Sequence, residues 1–172
     1  MRRSSCVPLG LLLAASAVVA ACDQAPVAEP LGQEDYVAVQ PRTLLSACTV
    51  APSAKASKVV GAEGGSVSVA GVTVTIPAGA VPEDTEFRVH VPSSTYAEAE
   101  IRANGQDHYQ FQAPVVIAMD YTRCSTPAGP LAVWHIDPET KALLEDMGGV
   151  DDVENRQMTF STMHLSGYAI AN

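Results

Sequence analysis

From Lys58 onward, apolar and polar positions alternate with a period of two, the pattern of strands that bury one face. Val67 and Val69 stand opposite Ser66 and Ser68, and Val72, Val74 and Ile76 opposite Thr73 and Thr75. Phe87, Val89 and Val91 alternate with Glu86, Arg88 and His90. After Pro114, the positions Val115, Ile117, Met119 and Tyr121 form another inward row, which Ala132, Trp134 and Ile136 continue. Leu143 and Leu144, then Met158 and Phe160, and a last apolar stretch ending at Ile170 complete the set. Asn104-Gly105 and the run Asp137-Pro138-Glu139-Thr140 have the composition of turns between them. The stretch from Tyr96 to Arg102 reads both ways: its Ala and Glu favour helix, while Ala97, Ala99 and Ile101 alternate as in a strand. Many short antiparallel strands within residues 58–172 predict an all-β fold, an antiparallel β-sandwich, because each sheet has an apolar face to bury against the other.

The residues before this region follow different rules. Arg2 and Arg3 supply a positive start, and the apolar stretch from Leu9 to Val19 fits the core of a secretory signal while falling short of the ~20 residues that cross a bilayer. The residues Val19, Ala20, Ala21 and Cys22 resemble the bacterial lipobox, so residues 1–21 are expected to be a lipoprotein signal peptide. Cys22 would then carry the acyl chains that hold the protein to a membrane on the extracytoplasmic side of the cell envelope. Each buried methylene contributes ~0.8 kcal/mol, so more than one chain makes a stable anchor. Residues 22–57 carry Pro26, Pro30, Pro41 and Pro52 with little periodicity and read as a tether. A short apolar patch inside it, Tyr36, Val37, Val39, Leu44 and Leu45, is placed to dock on the domain.

Charge and cysteine content narrow the classes of partner. The formal charge is −9, and it becomes more negative once Arg2 and Arg3 leave with the signal, so nucleic acid is not an expected partner. Cys6 leaves with the signal and Cys22 is the anchor. The remaining pair, Cys48 and Cys124, is expected to be a disulfide outside the cytoplasm, holding the apolar patch in place.

A resemblance to a known family rests on several pieces of the chain together. Gly64-Gly65, the strand pair leading into Ile76-Pro77-Ala78-Gly79-Ala80, then Phe111, Pro114 and Val115, and the closing His164-Leu165-Ser166-Gly167-Tyr168 resemble the ZU-5 domain of zonula occludens proteins and netrin receptors. The resemblance implies a β-sandwich that binds other proteins and has no shared reaction or cofactor. It also implies one alternative. His164-Leu165-Ser166 is similar to the tripeptide at which some such domains cut their own backbone, here between Leu165 and Ser166, with Ser166 as nucleophile and His164 as general base. Two residues apart on a strand, His164 and Ser166 are expected on one face.

Other chemistry is sparser. His90, His108, His135 and His164 show no ligand spacing, and no metal site is expected from them. Glu145, Asp146, Asp151, Asp152 and Glu154, around Gly148 and Gly149, offer oxygen ligands to calcium but do not match an EF-hand loop. There is no Gly-x-Ser-x-Gly elbow and no phosphate-binding glycine loop, so no small-molecule substrate and no enzyme activity are expected. Trp134, in an alternating strand, reads as core rather than as a sugar-binding platform. The sequence therefore predicts a noncatalytic interaction module on a lipid anchor.

Overall fold

The computed structural model describes residues 43–44, 47–106, 108–125 and 129–172. Among them lie eleven strands: β1 (Ala54–Val60), β2 (Gly65–Val69), β3 (Val72–Ile76), β4 (Thr85–Val91), β5 (Glu98–Ala103), β6 (Gln110–Asp120), β7 (Ala132–Ile136), β8 (Leu143–Gly148), β9 (Val150–Asp152), β10 (Gln157–His164) and β11 (Gly167–Ala171). They form two sheets packed together as a β-sandwich, with strand orders β1-β4-β5-β11-β7-β8 and β2-β3-β6-β10-β9. Every neighbouring pair is antiparallel.

Alternation explains why most of these segments are strands. Val67, Val72, Val74 and Ile76 of one sheet and Phe87, Val89 and Val91 of the other are buried in a single cluster, while Ser66, Ser68 and Thr75 are exposed. Val115, Ile117 and Met119, with Tyr121 just beyond β6, are buried in the same cluster. Phe87, Tyr109 and Phe111 stack around one another with ring centroids 5.1–5.7 Å apart. Gly64 has φ +78°, and a Cβ there would lie 2.5 Å from the Ile76 carbonyl oxygen and 2.8 Å from the Ala78 nitrogen. The double glycine and the Ile-Pro-Ala-Gly-Ala stretch are thus two halves of one close backbone packing.

The ambiguous stretch resolves as a strand from Glu98, because β5 fills the place between β4 and β11 and tertiary pairing overrides the helix preference of Ala and Glu. Two expectations need correction. The first sheet starts at Ala54, inside the span assigned to the tether. Its residues Ala54 to Ser57 carry little apolar side chain, and they are held by the backbone ladder to Arg88–Val91 instead. In β7 the core-facing residue is Val133, whereas Ala132, Trp134 and Ile136 lie outside the main cluster. Val133 pairs with Ile170 and His135 with Tyr168, which puts those residues on the core side, and the β7–β8 ladder shifts register after Val133 and again after His135. Ile136 is nevertheless 1% exposed, so both faces of this strand are covered and alternation could not tell them apart. The neighbouring β11 is buried at all five positions for the same reason.

Candidate functional site

The tripeptide His164-Leu165-Ser166 occupies the point where the chain leaves one sheet for the other. His164 ends β10 in the five-stranded sheet, and Gly167 opens β11 in the six-stranded one. The expectation that His164 and Ser166 share a strand face is therefore corrected: period-two reasoning holds within a strand, and the chain changes sheets between them. Leu165 is fully buried and its N–H donates to the Tyr109 carbonyl at 3.1 Å. The Ser166 carbonyl accepts from the Ile101 N–H at 3.0 Å. Neither residue has a positive φ.

Two hydroxyls converge on this crossing, but on the carbonyl one residue ahead of the supposed cut. Tyr168 Oη donates to the His164 carbonyl at 2.6 Å, and Thr162 Oγ1 donates to the same oxygen at 3.0 Å while accepting from the His164 N–H at 3.2 Å. An acyl-transfer site needs such donors on the oxygen that becomes the oxyanion, here that of Leu165. Burial pushes the Tyr168 hydroxyl up to about 12, so it stays a donor.

The His164 ring lies beside side chains of two other strands. Its Nε2 lies 3.7 Å from Glu145 Oε2, and the same oxygen is 4.0 Å from His135 Nδ1. The two imidazole centroids are 5.6 Å apart, and the Tyr168 ring lies 6.3 Å from one and 6.4 Å from the other. Burial, and then the neighbouring His164, hold the His135 imidazole below its ordinary value, while Glu145 acts in the opposite sense. His135 and Ser166 also line a cleft of about 240 Å³, together with Arg102, His108, Asp137 and Leu144. Glu100, which borders this cleft and a second one lined by Lys55, Arg88, His90 and Arg102, bonds His90 Nδ1 at 3.2 Å.

The remaining predicted positions are dispersed. Cys48 and Cys124 are joined, S–S 2.00 Å, and the bridge fastens the segment around Thr49 to the turn after β6. Arg123 strengthens that attachment by donating to the carbonyls of Thr49, Ser94 and Tyr96. Leu44 bridges Ala171, which ties one residue of the apolar patch to β11; Tyr36, Val37, Val39 and Leu45 lie outside the described residues, as do Cys22 and residues 1–21. The acidic residues do not converge on a common centre. Asp151 accepts from Tyr121 Oη at 2.6 Å, Asp152 accepts from the Asn155 backbone and side chain, and Asp146 accepts from the Gly148 N–H. Glu145 faces the histidines instead.

One further surface stands out on the outer side of the five-stranded sheet. Register aligns Ser68, Thr73, Ala118, Thr159 and Val150 in one row and Ser66, Thr75, Val116 and Ser161 in the next. No residue in either row is charged, in a chain of formal charge −9. Val116 and Val150 are 39% and 72% exposed, and Met163, two residues past Ser161, is exposed at the rim. Sequence reasoning treated these Ser and Thr residues only as the solvent side of strands; their alignment follows from register, which no single strand reveals. No protein-family model matches the chain, and no curated protein matches it.

Proposed function

We propose that this chain is a lipid-anchored protein of the cell envelope whose β-sandwich is a noncatalytic protein-interaction module, and that it binds its partner with the outer face of the five-stranded sheet. The uncharged rows of Ser, Thr, Ala and Val are the observation that carries this reading. Short hydroxyl and aliphatic side chains lose little rotamer entropy on contact, and two uncharged rows, with Asp120 and Asp152 only in the row beside them, leave no charged group to desolvate at the core of an interface. The N-terminal pattern ending at Cys22 supports the anchor, and the resemblance to the ZU-5 domain supports protein binding.

The alternative, self-cleavage between Leu165 and Ser166, asks for a base next to the nucleophile and donors on the scissile carbonyl. His164 is engaged with Glu145, and the two hydroxyls are engaged with the His164 carbonyl, so the interaction reading is preferred. Crosslinking in the native cells is the test, comparing wild type with Val116→Lys and Thr159→Lys. A discrete partner captured by wild type and lost by both variants, with folding intact by circular dichroism, supports the proposal. A partner retained by both places the interface elsewhere. A peptide beginning at Ser166 in denaturing mass spectrometry of the purified protein, absent from Ser166→Ala, establishes the self-cleaving alternative.

A further inference from the structure

We infer that Lys55, Arg88 and Arg102 form a binding site for one phosphate group on the outer face of the six-stranded sheet. This face is opposite the proposed interface, and the inference does not rest on that reading. Register sets the three cations side by side. Lys55 of β1 stands opposite His90 of β4, which stands opposite Glu100 of β5; in the next row Ser57, Arg88 and Arg102 follow in the same order. Residues two apart on a strand share a face, so the two rows are neighbours on one surface. Lys55, Arg88, His90, Glu100 and Arg102 together line a cleft of about 220 Å³. Three cations thus meet one carboxylate there, in a chain whose formal charge is −9.

The pairing of Arg88 with Arg102 is the observation that points to a ligand. Like charges directly opposite on neighbouring strands destabilise a sheet, and an anion held between the two side chains reverses that effect. Two acids stand nearby. Glu86 lies 3.6 Å from Arg88, which also donates to Ser57 Oγ at 3.2 Å, and Glu100 lies 3.9 Å from Arg102. Arg88, Glu86 and Arg102 have side chains 43–48% exposed, where such attractions are weak, so exchanging them for phosphate loses little. The Glu100 oxygen is shared with His90 Nδ1 at 3.2 Å. The other His90 nitrogen is engaged with Ser53 Oγ at 3.0 Å, so His90 is not counted among the donors. Phosphate suits this arrangement better than a carboxylate does. A guanidinium presents a planar fork that binds two oxygens, and two forks on adjacent strands with an ammonium beside them call for an anion with more than two oxygens. Arg88 and Arg102 are each ordinary outward residues of their own strands, and alternation alone does not show that they meet.

Sodium phosphate titrated into the purified full chain, at an ionic strength held constant with sodium chloride, tests the inference by calorimetry, by the arginine side-chain signals in nuclear magnetic resonance and by thermal melts. The expected result is saturable binding of one phosphate, with shifts at the Nε–H signals of Arg88 and Arg102 and a melting temperature that rises with phosphate concentration. Binding weakens by about tenfold or more in Arg88→Gln and in Arg102→Gln, each of which removes charge-assisted hydrogen bonds, and the rise in melting temperature is lost with it. Lys58→Gln removes the same charge from the other face of β1 and leaves binding unchanged. A water-soluble phosphatidylglycerol titrated in the same way separates two sources of the group. Binding of both at this cleft assigns it to a lipid headgroup, and binding of inorganic phosphate alone assigns it to the free ion. The inference is overturned if phosphate binding does not saturate, if acetate binds equally well, or if Lys58→Gln weakens binding as much as the arginine variants do. The shifts and the acetate comparison use wild type alone, so a variant that fails to fold does not obscure the answer.

Discussion

Tyr168 is the residue on which the crossing between the sheets depends, since its hydroxyl donates to the His164 carbonyl and its ring is fully buried. Tyr168→Phe keeps the ring and removes the donor, leaving the Thr162 hydroxyl alone on that oxygen. It is expected to cost about 1–3 kcal/mol, read as a lower urea midpoint with unchanged slope, while the polypeptide stays in one piece by denaturing mass spectrometry. Tyr121 gives a pH-dependent prediction. Burial and the hydrogen bond to Asp151 push its hydroxyl from an ordinary value of 10.0 up to about 12. The unfolded chain therefore loses this proton first, so stability falls as pH rises through the interval between those two values, and Tyr121→Phe flattens the fall. Ultraviolet difference titration of the tyrosines, run beside thermal melts, checks both. At this scale the sequence was a partial guide. Buried residues such as Phe87, Val89 and Ile117 were legible, because each strand there has one wet face. The partners of His164 were not, because Glu145 and His135 reach it through packing between strands that are distant along the chain.

Among the elements, the turn after β7 and the start of β5 are joined by an ion pair that carries an energetic consequence. Glu98, 3% exposed, accepts from Lys141 Nζ at 2.5 Å, and Lys141 sits in the turn with φ +61°. Lys141→Met is expected to destabilise the domain by about 3 kcal/mol, because it strands a buried carboxylate without its partner. Glu98→Gln in the same background is expected to restore much of that loss, and chemical denaturation of the two variants together reads the difference. If Lys141→Met alone is neutral, the pair contributes nothing to folding. Which segments become strands was legible wherever Val, Ile and Phe alternate with polar residues, as in β3, β4 and β6. The first residues of β1 were not, since Ala54 to Ser57 are strand only through their ladder to β4. Nor was the inner face of β7, where Val133 and Ile136 are buried on opposite sides and two register shifts interrupt the pairing with β8.

For the whole molecule, the proposed anchor gives the plainest prediction. Cys22→Ser is expected to move the protein from the membrane fraction to the soluble one and to abolish labelling by an alkyne fatty acid. Wild type that is soluble and unlabelled removes the lipoprotein reading and leaves the sandwich unaffected. The order of strands bears on how such a molecule reaches its folded state. β11, the last of the eleven strands to be made, lies in the middle of the six-stranded sheet, with β5 on one side and β7 on the other. Until it arrives, β1-β4-β5 and β7-β8 are separate ribbons with raw inner edges, and the two halves have no ladder between them. Closure of the sheet thus waits for residues 167–171, whose pairings reach back to Glu98–Glu100. A chain delivered from its N-terminus leaves this sheet open until the ten strands before β11 have emerged, and its closure is expected to be slow, as for other distant pairings. During that interval the vacant slot between β5 and β7 is the place where a chaperone, or a stray strand from another copy, would bind.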